Sequence, residues 1–433
     1  MAPRLLLLLP TRTYRAAAFL DAAHALGLEV VVGSDQPSTL GAFMAGRELV
    51  LDLGHPDQAA ARAAAFAAEH RVDGVVGVDE TAVLTAAHLA ERLGVRHHPV
   101  AAVAATRDKR RLRLVMAGAG VPQPDFAELP SDAGDGALSV GVVAVGGFPA
   151  VLKPVSLAAS QGVIRVDSLA GLQEATIRLG RLLDELDCDA GTAAHPLLLE
   201  RFVPGVEVAV EGLVRGGRPE VLAVFDKPEP LDGPYFAETL LVTPSRLLPA
   251  THAAVTGLAT AAAVALGLRD GPFHAELRVD PLGGPRLLEV AARSIGGLCS
   301  RVLHFGDRGM GLEEVILRHA CGLPLEAALE RSGPAATGVL MLPVPASGML
   351  LGVDGVAQAE EVPGIDGVSL SVPRGETVTA LPEGDRYLGF VFAHGDSAAD
   401  VEASLREAWR RLHVAVDTRP AQGSQADITP RTP

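Results

Sequence analysis

The chain has 433 residues, of which 48% are hydrophobic and 21% charged, enough for two or three domains that each bury a core. Fifty-two acidic residues against 37 basic ones give a formal net charge of −15, which disfavours binding to nucleic acid or to an anionic membrane. Three widely spaced cysteines favour a reducing cytoplasm over a disulfide framework. The leucine run at 5–9 is typical of a buried strand rather than a signal peptide, and no stretch is long enough to cross a bilayer.

The first hundred residues alternate between apolar runs and helical patterns. The runs cover 4–10, 28–33 and 72–78, and the helical patterns cover 13–27, 56–70 and 81–94. This alternation predicts a parallel sheet with crossover helices, whose functional loops follow the carboxyl ends of the strands. One such loop, 78–80, makes Glu80 a candidate substrate residue. No GxGxxG follows the first run, so dinucleotide binding has no support there.

The following part of the chain is predicted to be α+β, after a connecting segment at 97–105. Helices are predicted at 108–119, 252–266 and 397–412, and strands at 150–152, 164–166, 197–202, 206–214, 220–226, 274–279 and 286–290. From about residue 334, short valine-rich strands and glycine turns indicate a third region. The last fifteen residues are polar and contain proline, so we expect them to be disordered.

Lysine is scarce in this chain, since only Lys109, Lys153 and Lys227 occur among the 37 basic residues. Lys153 ends a short apolar strand and precedes a Ser/Gly-containing loop at 155–163. In such a loop, backbone N–H groups, serine hydroxyls and the ammonium can bind phosphate oxygens. The chain contains no GxxxxGK[ST] P-loop. The alternative is a surface lysine beside a turn.

Two further patterns place carboxylates on strands. Glu200 ends an apolar strand and Glu207 opens the next one after a proline–glycine turn, a hinge suited to a purine edge and to ribose hydroxyls. Solvated acids flanking a turn are the alternative.

Glu276 and Glu289 lie in mainly apolar strands joined by a short turn. Facing carboxylates repel unless a cation lies between them, and Mg²⁺ is the natural occupant; two exposed strand acids are the alternative. Arg293 adds a permanent cation beside the same site.

Taken in this order, these residues resemble the ATP-grasp superfamily over about residues 1–420. The resemblance implies an α/β and α+β chain with the ATP-grasp fold. Its parts would be an N-terminal parallel α/β (Rossmann-like) domain at 1–98, an ATP-grasp domain at 99–330 with a lid subdomain at about 120–215, a small C-terminal α+β region at 331–418, and a disordered tail at 419–433.

The resemblance also implies the binding residues. Lys109 and Lys153 match phosphate lysines, 156–162 with Ser160 and Gly162 matches the mobile lid, Glu200 and Val203 match the adenine hinge, Glu207 matches the ribose acid, and Glu276 and Glu289 match the magnesium carboxylates. The implied ligands are ATP and two Mg²⁺ ions, with Mn²⁺ as an alternative metal. A homodimer is common in this superfamily.

Within the superfamily, the stretches 273–278 and 289–297 are similar to the L-amino acid ligases, which join two amino acids. The superfamily's common metal-binding asparagine is replaced by Ala291, whereas the E-x-x-x-R spacing to Arg293 is that of the dipeptide-forming group. The resemblance implies attack of a carboxylate on the γ-phosphate of ATP, and then displacement of phosphate by an amine. Lys153 would act in the first step and Arg293 would stabilise the oxyanion of the second.

Four other residues are candidates to touch the amino-acid substrates. His274 shares a strand face with Glu276 and could orient substrate, or it could be a satisfied core histidine. Glu238 follows a proline–glycine loop and could bind an amino group, or be a solvated loop acid. Gly296 and Gly297 favour a roomy acceptor pocket. Two rival functions stay open: an ATP-grasp ligase or carboxylase with a non-amino-acid acceptor, and a non-catalytic ATP-binding regulatory protein.

Overall fold

The computed structural model describes residues 2–11, 13–37, 48–186 and 194–419. Cys188 and the predicted tail beyond Arg419 lie outside these residues. Among the described helices, none combines the length and apolar character needed to cross a membrane.

The N-terminal part is a parallel sheet with helices on both faces. Its elements are β1 (Arg4–Leu8), α1 (Ala16–Ala25), β2 (Glu29–Ser34), β3 (Glu48–Val50), α2 (Pro56–Glu69), β4 (Gly74–Gly77) and α3 (Glu80–Leu93). The strand order is β3-β2-β1-β4 and every pair is parallel, which confirms the predicted fold class. The sequence analysis missed β3, which has only three residues.

Two helices then lead into the site. They are α4 (Val100–Arg107) and α5 (Lys109–Gly118). Most of the segment predicted as a connection, 97–105, lies in α4, which begins directly after Pro99. Asp108 caps α5 by accepting a hydrogen bond from the Arg111 backbone N–H at 3.0 Å, which fixes Lys109 at the first helical position.

A small antiparallel sheet follows, which we call the lid sheet. Its part of the chain contains β5 (Phe126–Pro130), α6 (Asp135–Ala144), β6 (Ala150–Pro154), β7 (Ile164–Val166), α7 (Leu169–Glu185) and β8 (Pro196–Arg201). The strand order is β5-β8-β6-β7. The sequence analysis missed β5 and both helices. The predicted lid range of about 120–215 also extends past this sheet, because residues 206–215 pair elsewhere.

The largest sheet has eight antiparallel strands. The elements of this part of the chain are β9 (Val206–Arg215), β10 (Arg218–Lys227), β11 (Leu240–Thr243), α8 (Pro249–Ala265), β12 (Gly271–Asp280), β13 (Gly284–Ala291), β14 (His304–Phe305), β15 (Met310–Gly311), α9 (Leu312–Ala320), β16 (Ala336–Leu342), β17 (Gly348–Asp354), α10 (Val356–Glu360), β18 (Ile365–Leu370), β19 (Thr377–Val378), β20 (Gly389–Gly395), α11 (Ala398–Arg411) and β21 (His413–Asp417). The large sheet runs β13-β12-β9-β10-β11-β16-β20-β18, while β19-β17-β21 form a small separate sheet. A domain boundary at 331 would therefore run through one continuous sheet, between β11 and β16.

The leucine run of β1 is buried on both faces, which explains why its apolar residues do not alternate with polar ones. Leu6 and Leu8 pack against α2 and α3, whereas Leu5 and Leu7 belong to a second apolar cluster with Phe225 of β10. This second cluster joins the N-terminal sheet to the large sheet, and the main cavity lies near their junction.

Candidate active site

A cavity of about 1210 Å³ is lined by residues from the N-terminal sheet, the lid sheet, the large sheet and the C-terminal region. It gathers nearly all the residues singled out from the sequence. The predicted residues that line it are Glu80, Lys109, Lys153, Ser160, Glu200, Val203, Glu207, Glu238, His274, Glu276, Glu289, Arg293, Gly296 and Gly297.

Lys153 lies on β6 and is held by a buried carboxylate. Its Nζ lies 2.8 Å from Oε2 of Glu200, whose other oxygen accepts from Nε of Arg113 at 2.7 Å. Burial alone would raise the pKa of Glu200, but Arg113 and Lys153 outweigh it and lower the pKa to about 2. Glu200 therefore neutralises two cations, and its carboxylate faces them.

Lys109 connects the start of α5 to two parts of the cavity. Its Nζ donates to the carbonyl oxygen of Leu157 at 2.5 Å and lies 3.4 Å from Oε1 of Glu289. Leu157 belongs to the loop 156–162 between β6 and β7, which we call the lid loop. An ammonium thus lies between the lid loop and one of the predicted metal carboxylates.

The lid loop has an unusual backbone. Ala159 and Ser160 have φ values of 55° and 58°, in the left-handed region that non-glycine residues rarely adopt. Ser160 lines the cavity, whereas Gly162 does not. Gly162 has a φ of 73°, and a Cβ there would lie 2.7 Å from Cγ of Pro154, so glycine is needed to bring the loop back beside β6.

The turn between β8 and β9 brings the lid sheet against the large sheet. Val203 lines the cavity at this turn, and Gly205 has a φ of 99° with Val279 packed directly against it. Glu207, which opens β9, lies 2.7 Å from Nζ of Lys227 and 3.8 Å from Nε of Arg278. The acid predicted to bind ribose is thus buried beside two cations.

The predicted hairpin of metal carboxylates is formed by β12 and β13, with Glu276 directly opposite Glu289. The Glu276 carboxylate lies 3.4 Å from Nζ of Lys227, as Glu289 does from Lys109. Each carboxylate therefore has a lysine from another element beside it, and both border the cavity.

Lys227, which the sequence analysis assigned to no role, lies at the centre of three carboxylates. Its Nζ contacts Glu207, Glu238 and Glu276, whose ligand oxygens lie within 4.8 Å of one another. Burial alone would lower the pKa of Lys227, but these acids raise it well above its ordinary value. Burial also raises the pKa of Glu238, to about 7, although Lys227 opposes the change.

Arg293 is oriented by a residue of the N-terminal sheet. Its Nε donates to Oε2 of Glu80 at 2.6 Å, and one terminal nitrogen donates to the carbonyl oxygen of Ser294 at 3.0 Å. Burial alone would raise the pKa of Glu80, but Arg293 and Arg107 lower it. Glu80 therefore contacts the predicted substrate residue Arg293 and orients its guanidinium.

His274 lies between two carboxylates. Its Nδ1 is 3.2 Å from Glu211 and its Nε2 is 3.5 Å from Glu276. Burial lowers the pKa of His274, but its hydrogen bonds to the carboxylates of Glu211 and Glu276 outweigh burial and raise the pKa to about 9. Glu211, fully buried, also accepts from the backbone N–H of Ile295 at 2.9 Å, and so links His274 to the segment that carries Gly296.

Comparison with protein families places three models along the chain. An ATP-grasp N-terminal domain matches residues 20–95, an ATP-grasp domain matches 146–302, and L-amino acid ligase C-terminal domain 2 matches 340–417. The chain belongs to the ATP-grasp superfamily. Its helices and sheets form the ATP-grasp fold predicted from the sequence.

Several known ATP-grasp proteins are similar to this chain. Carnosine synthase 1 of Mus musculus is 30% identical over 61% of the chain and 32% of that protein, and alanine–anticapsin ligase of Bacillus subtilis (strain 168) is 27% identical over 52% and 49%. The chain therefore spans about a third to a half of the length of these curated relatives. The crystal structure of L-amino acid ligase from Bacillus licheniformis superimposes with a TM-score of 0.77 at 25% identity, covering 96% of this chain and 99% of that one.

The ATP-grasp site has a donor set that fits Mg²⁺. Glu276 and Glu289 are 25% and 32% exposed, and their carboxylates offer the hard oxygen ligands that Mg²⁺ prefers. The Lys227 ammonium contacts all three acids of the group Glu207, Glu238 and Glu276, whereas Glu289 lies beside Lys109.

Four residues that contact the cavity side chains from distant parts of the sequence were not predicted: Arg113, Glu211, Lys227 and Arg278. The rarity of lysine was a signal for Lys227, because two of the three lysines already fell on phosphate positions. No comparable signal marks the others, whose partners lie far along the chain.

Proposed function

We propose that this protein is an ATP-dependent carboxylate–amine ligase that forms an acyl phosphate from an amino-acid carboxylate and couples it to an amine. The observation that supports this best is the arrangement of one cavity, in which Glu276 and Glu289 face each other beside Lys109 and Lys227. Arg293 lines the same cavity. This set suits a reaction that gathers negative charge at phosphate and carbonyl oxygens.

The ATP half of the proposed reaction is assigned to the lid side of the cavity. Lys109 and Lys153 would bind phosphate oxygens, and Ser160 with the lid loop would cover them. Val203 and the neighbouring backbone would hold the adenine, with Glu207 near the ribose. Glu276 and Glu289 would hold Mg²⁺, two ions by family resemblance with Mn²⁺ as a substitute, and the metal would neutralise phosphate charge.

The amino-acid half is assigned to the side formed by Glu238, His274 and Arg293. Glu238 is an acid suited to a substrate ammonium, and it lies beside Lys227, which is suited to the transferring phosphoryl group. Arg293, oriented by Glu80, would stabilise the oxyanion as the amine attacks. Gly296 borders this part of the cavity, and a Cβ there would find no atom closer than 4.0 Å, which supports a roomy acceptor pocket.

The finer proposal is that the amine is a second L-amino acid, so that the products are a dipeptide, ADP and phosphate. The match to L-amino acid ligase C-terminal domain 2 supports this choice, and so does the similarity to alanine–anticapsin ligase, whose name describes the ligation of the amino acid alanine to a second compound. We propose a cytoplasmic location, and a homodimer by family resemblance.

The test is a screen in which the protein, ATP and Mg²⁺ are mixed with amino acids singly and in pairs, with ADP and product mass measured together. We expect ADP and a dipeptide mass with particular pairs. ADP with a product from one amino acid and another acceptor would support the ligase or carboxylase with a non-amino-acid acceptor. ATP binding without ADP in any mixture would contradict catalysis and favour the regulatory alternative.

A further inference from the structure

The lid loop does not end against open solvent, because a segment of the C-terminal region is bonded to it. The backbone N–H of Gly162 donates to the carbonyl oxygen of Pro382 at 2.7 Å, and the Gln161 side chain donates from Nε2 to the carbonyl oxygen of Glu383, also at 2.7 Å. These contacts join positions more than two hundred residues apart. They fix the loop at its end, next to cavity-lining Ser160.

An ion pair strengthens the same junction from the adjoining helix. Arg178 of α7 donates through Nε and a terminal nitrogen to the two oxygens of Glu383, at 2.5 and 2.9 Å. Its other terminal nitrogen donates to the hydroxyl of Tyr235 at 2.6 Å. Two parallel N–H···O bonds hold a guanidinium and a carboxylate in one orientation. This pair therefore fixes the position of the C-terminal segment relative to α7, in addition to balancing charge.

The C-terminal segment that holds the lid loop also forms part of the cavity wall. Asp385, Arg386 and Tyr387, which begin two residues after Glu383, line the cavity. The segment therefore connects the cover over the phosphate side with the wall of the substrate side.

We propose that Arg178 and Glu383 are positioning residues that hold the lid loop closed on the C-terminal region during turnover. These two residues do not touch the reacting groups of ATP or the amino acid, and they act only through the lid loop. Closure would keep ATP bound and would keep water from the acyl phosphate until the amine attacks. The turnover readout of this inference rests on the proposed function, but closure on nucleotide does not.

The first experiment measures nucleotide binding alone, in the full chain, with a non-hydrolysable ATP analogue and Mg²⁺. Glu383→Gln and Arg178→Gln should each weaken binding by about two- to fivefold, the range that one exposed ion pair supplies. They should also speed amide hydrogen exchange at 156–162 in the nucleotide complex. The double variant Arg178→Glu/Glu383→Arg, in which the two charges change places, should restore part of the binding affinity and part of the protection from amide exchange. Glu29→Gln is the control, since both oxygens of Glu29 accept from one terminal nitrogen of Arg4 in the N-terminal sheet, away from the lid loop.

The second experiment uses an amino-acid pair from the screen and measures KM for ATP, kcat and the ratio of ADP to dipeptide. In both Gln variants KM should rise by about two- to fivefold, and the ratio should rise above that of the wild type because acyl phosphate is lost to water. Unchanged analogue binding and unchanged exchange at 156–162 in both variants would overturn the proposal that Arg178 and Glu383 hold the lid loop closed. If no pair gives a dipeptide, the binding and exchange results still decide it, so its failure is distinguishable from failure of the proposed function.

Discussion

Each of the three lysines in this chain ends beside a carboxylate from a different element. Lys153 lies beside Glu200 and Lys109 beside Glu289, while Lys227 contacts three acids. A strand end and a Ser/Gly loop mark Lys153 locally in the sequence, whereas the phosphate role of Lys109 was implied by the family resemblance. Lys227 was given no role because the three acids come from separate stretches, and no local pattern relates them.

Glu200 supports a prediction about stability and pH. Its pKa is about 2 in the folded protein, below the ordinary 4.5, so its contribution is present above about pH 4.5 and is lost as the pH falls towards 2. The shift corresponds to a contribution on the order of 3 kcal/mol. Glu200→Gln should therefore be less stable than the wild type near neutral pH, and the difference should fall to less than half by about pH 3. Urea unfolding of both proteins at several pH values between about 6 and 3 measures this. A difference that does not change with pH would contradict it.

Arg293 supports a prediction that separates the two half-reactions. Arg293→Ala should still bind MgATP and produce ADP in the first turnover, whereas amide formation should fall by roughly 10²–10³-fold, as when one oxyanion donor is removed. Lys153→Ala should instead lose the phosphoryl step, so that ADP and amide fall together. Rapid-quench measurement of ADP and dipeptide in parallel checks both variants. Equal loss of both products in Arg293→Ala would assign Arg293 to the phosphate or carboxylate contacts instead.

At the scale of elements, the turn between β8 and β9 decides where the lid sheet meets the large sheet. Gly205 in this turn has a φ of 99°, and a Cβ there would lie 2.0 Å from the carbonyl oxygen of Val279 in β12. Neither the turn conformation nor the strand can shift without moving Val203 and Glu207, which flank the turn. A single glycine thus holds the predicted adenine hinge in place.

Gly205→Ala should therefore destabilise the protein more than an ordinary left-handed glycine substitution. Gly216→Ala is the matched control, because Gly216 has a φ of 58° and an added Cβ would meet nothing within 4 Å. We expect a loss of about 1–2 kcal/mol for Gly216→Ala from backbone strain alone, and more than about 3 kcal/mol for Gly205→Ala, where a steric clash is added. Denaturant unfolding measures both free energies. Equal losses would show that the β8–β9 turn can relax around an extra methyl group.

The elements also show which parts of an ATP-grasp chain can be predicted from one sequence. The strands β1, β2 and β4 were predicted because apolar runs alternate with helical patterns in the first hundred residues, and β12 and β13 because a short turn joins two apolar runs. The helix α7 carries apolar residues at helical spacing, among them Leu172, Leu179 and Leu183, so its signal was present although it was missed. The order of the eight-stranded sheet was beyond prediction, because strand pairing over long separations leaves no local pattern.

At the scale of the whole molecule, strands of the C-terminal region extend the large sheet. Leu240 of β11 pairs with Leu340 of β16, and β16 pairs in turn with β20. The sequence placed a boundary at about 331 because composition changes there, but hydrogen bonding continues across it. The three predicted regions describe the order of elements along the chain. The hydrogen-bonded sheet, however, continues from the second region into the third.

Truncation at residue 331 tests this continuity. The shortened chain should expose the unpaired edge of β11 and lose the segment that holds the lid loop, so we expect aggregation or a non-cooperative urea transition. Circular dichroism and size-exclusion chromatography, with the full chain as control, make the measurement. A cooperative, monomeric fragment that binds nucleotide would contradict it and would support the predicted domain boundary.

The contact between the N-terminal sheet and Arg293 has a consequence for building chimaeras from related ligases. Glu80 orients Arg293, and the buried Arg15 donates to the hydroxyl of Ser294 at 2.5 Å, so the N-terminal sheet holds the polypeptide on which the proposed oxyanion contact depends. A crossover near residue 98 would exchange one half of each contact and keep the other. Recombined enzymes should therefore retain activity only when Arg15 and Glu80 are inherited together with the segment 293–294, even where every residue proposed to touch ATP is unchanged.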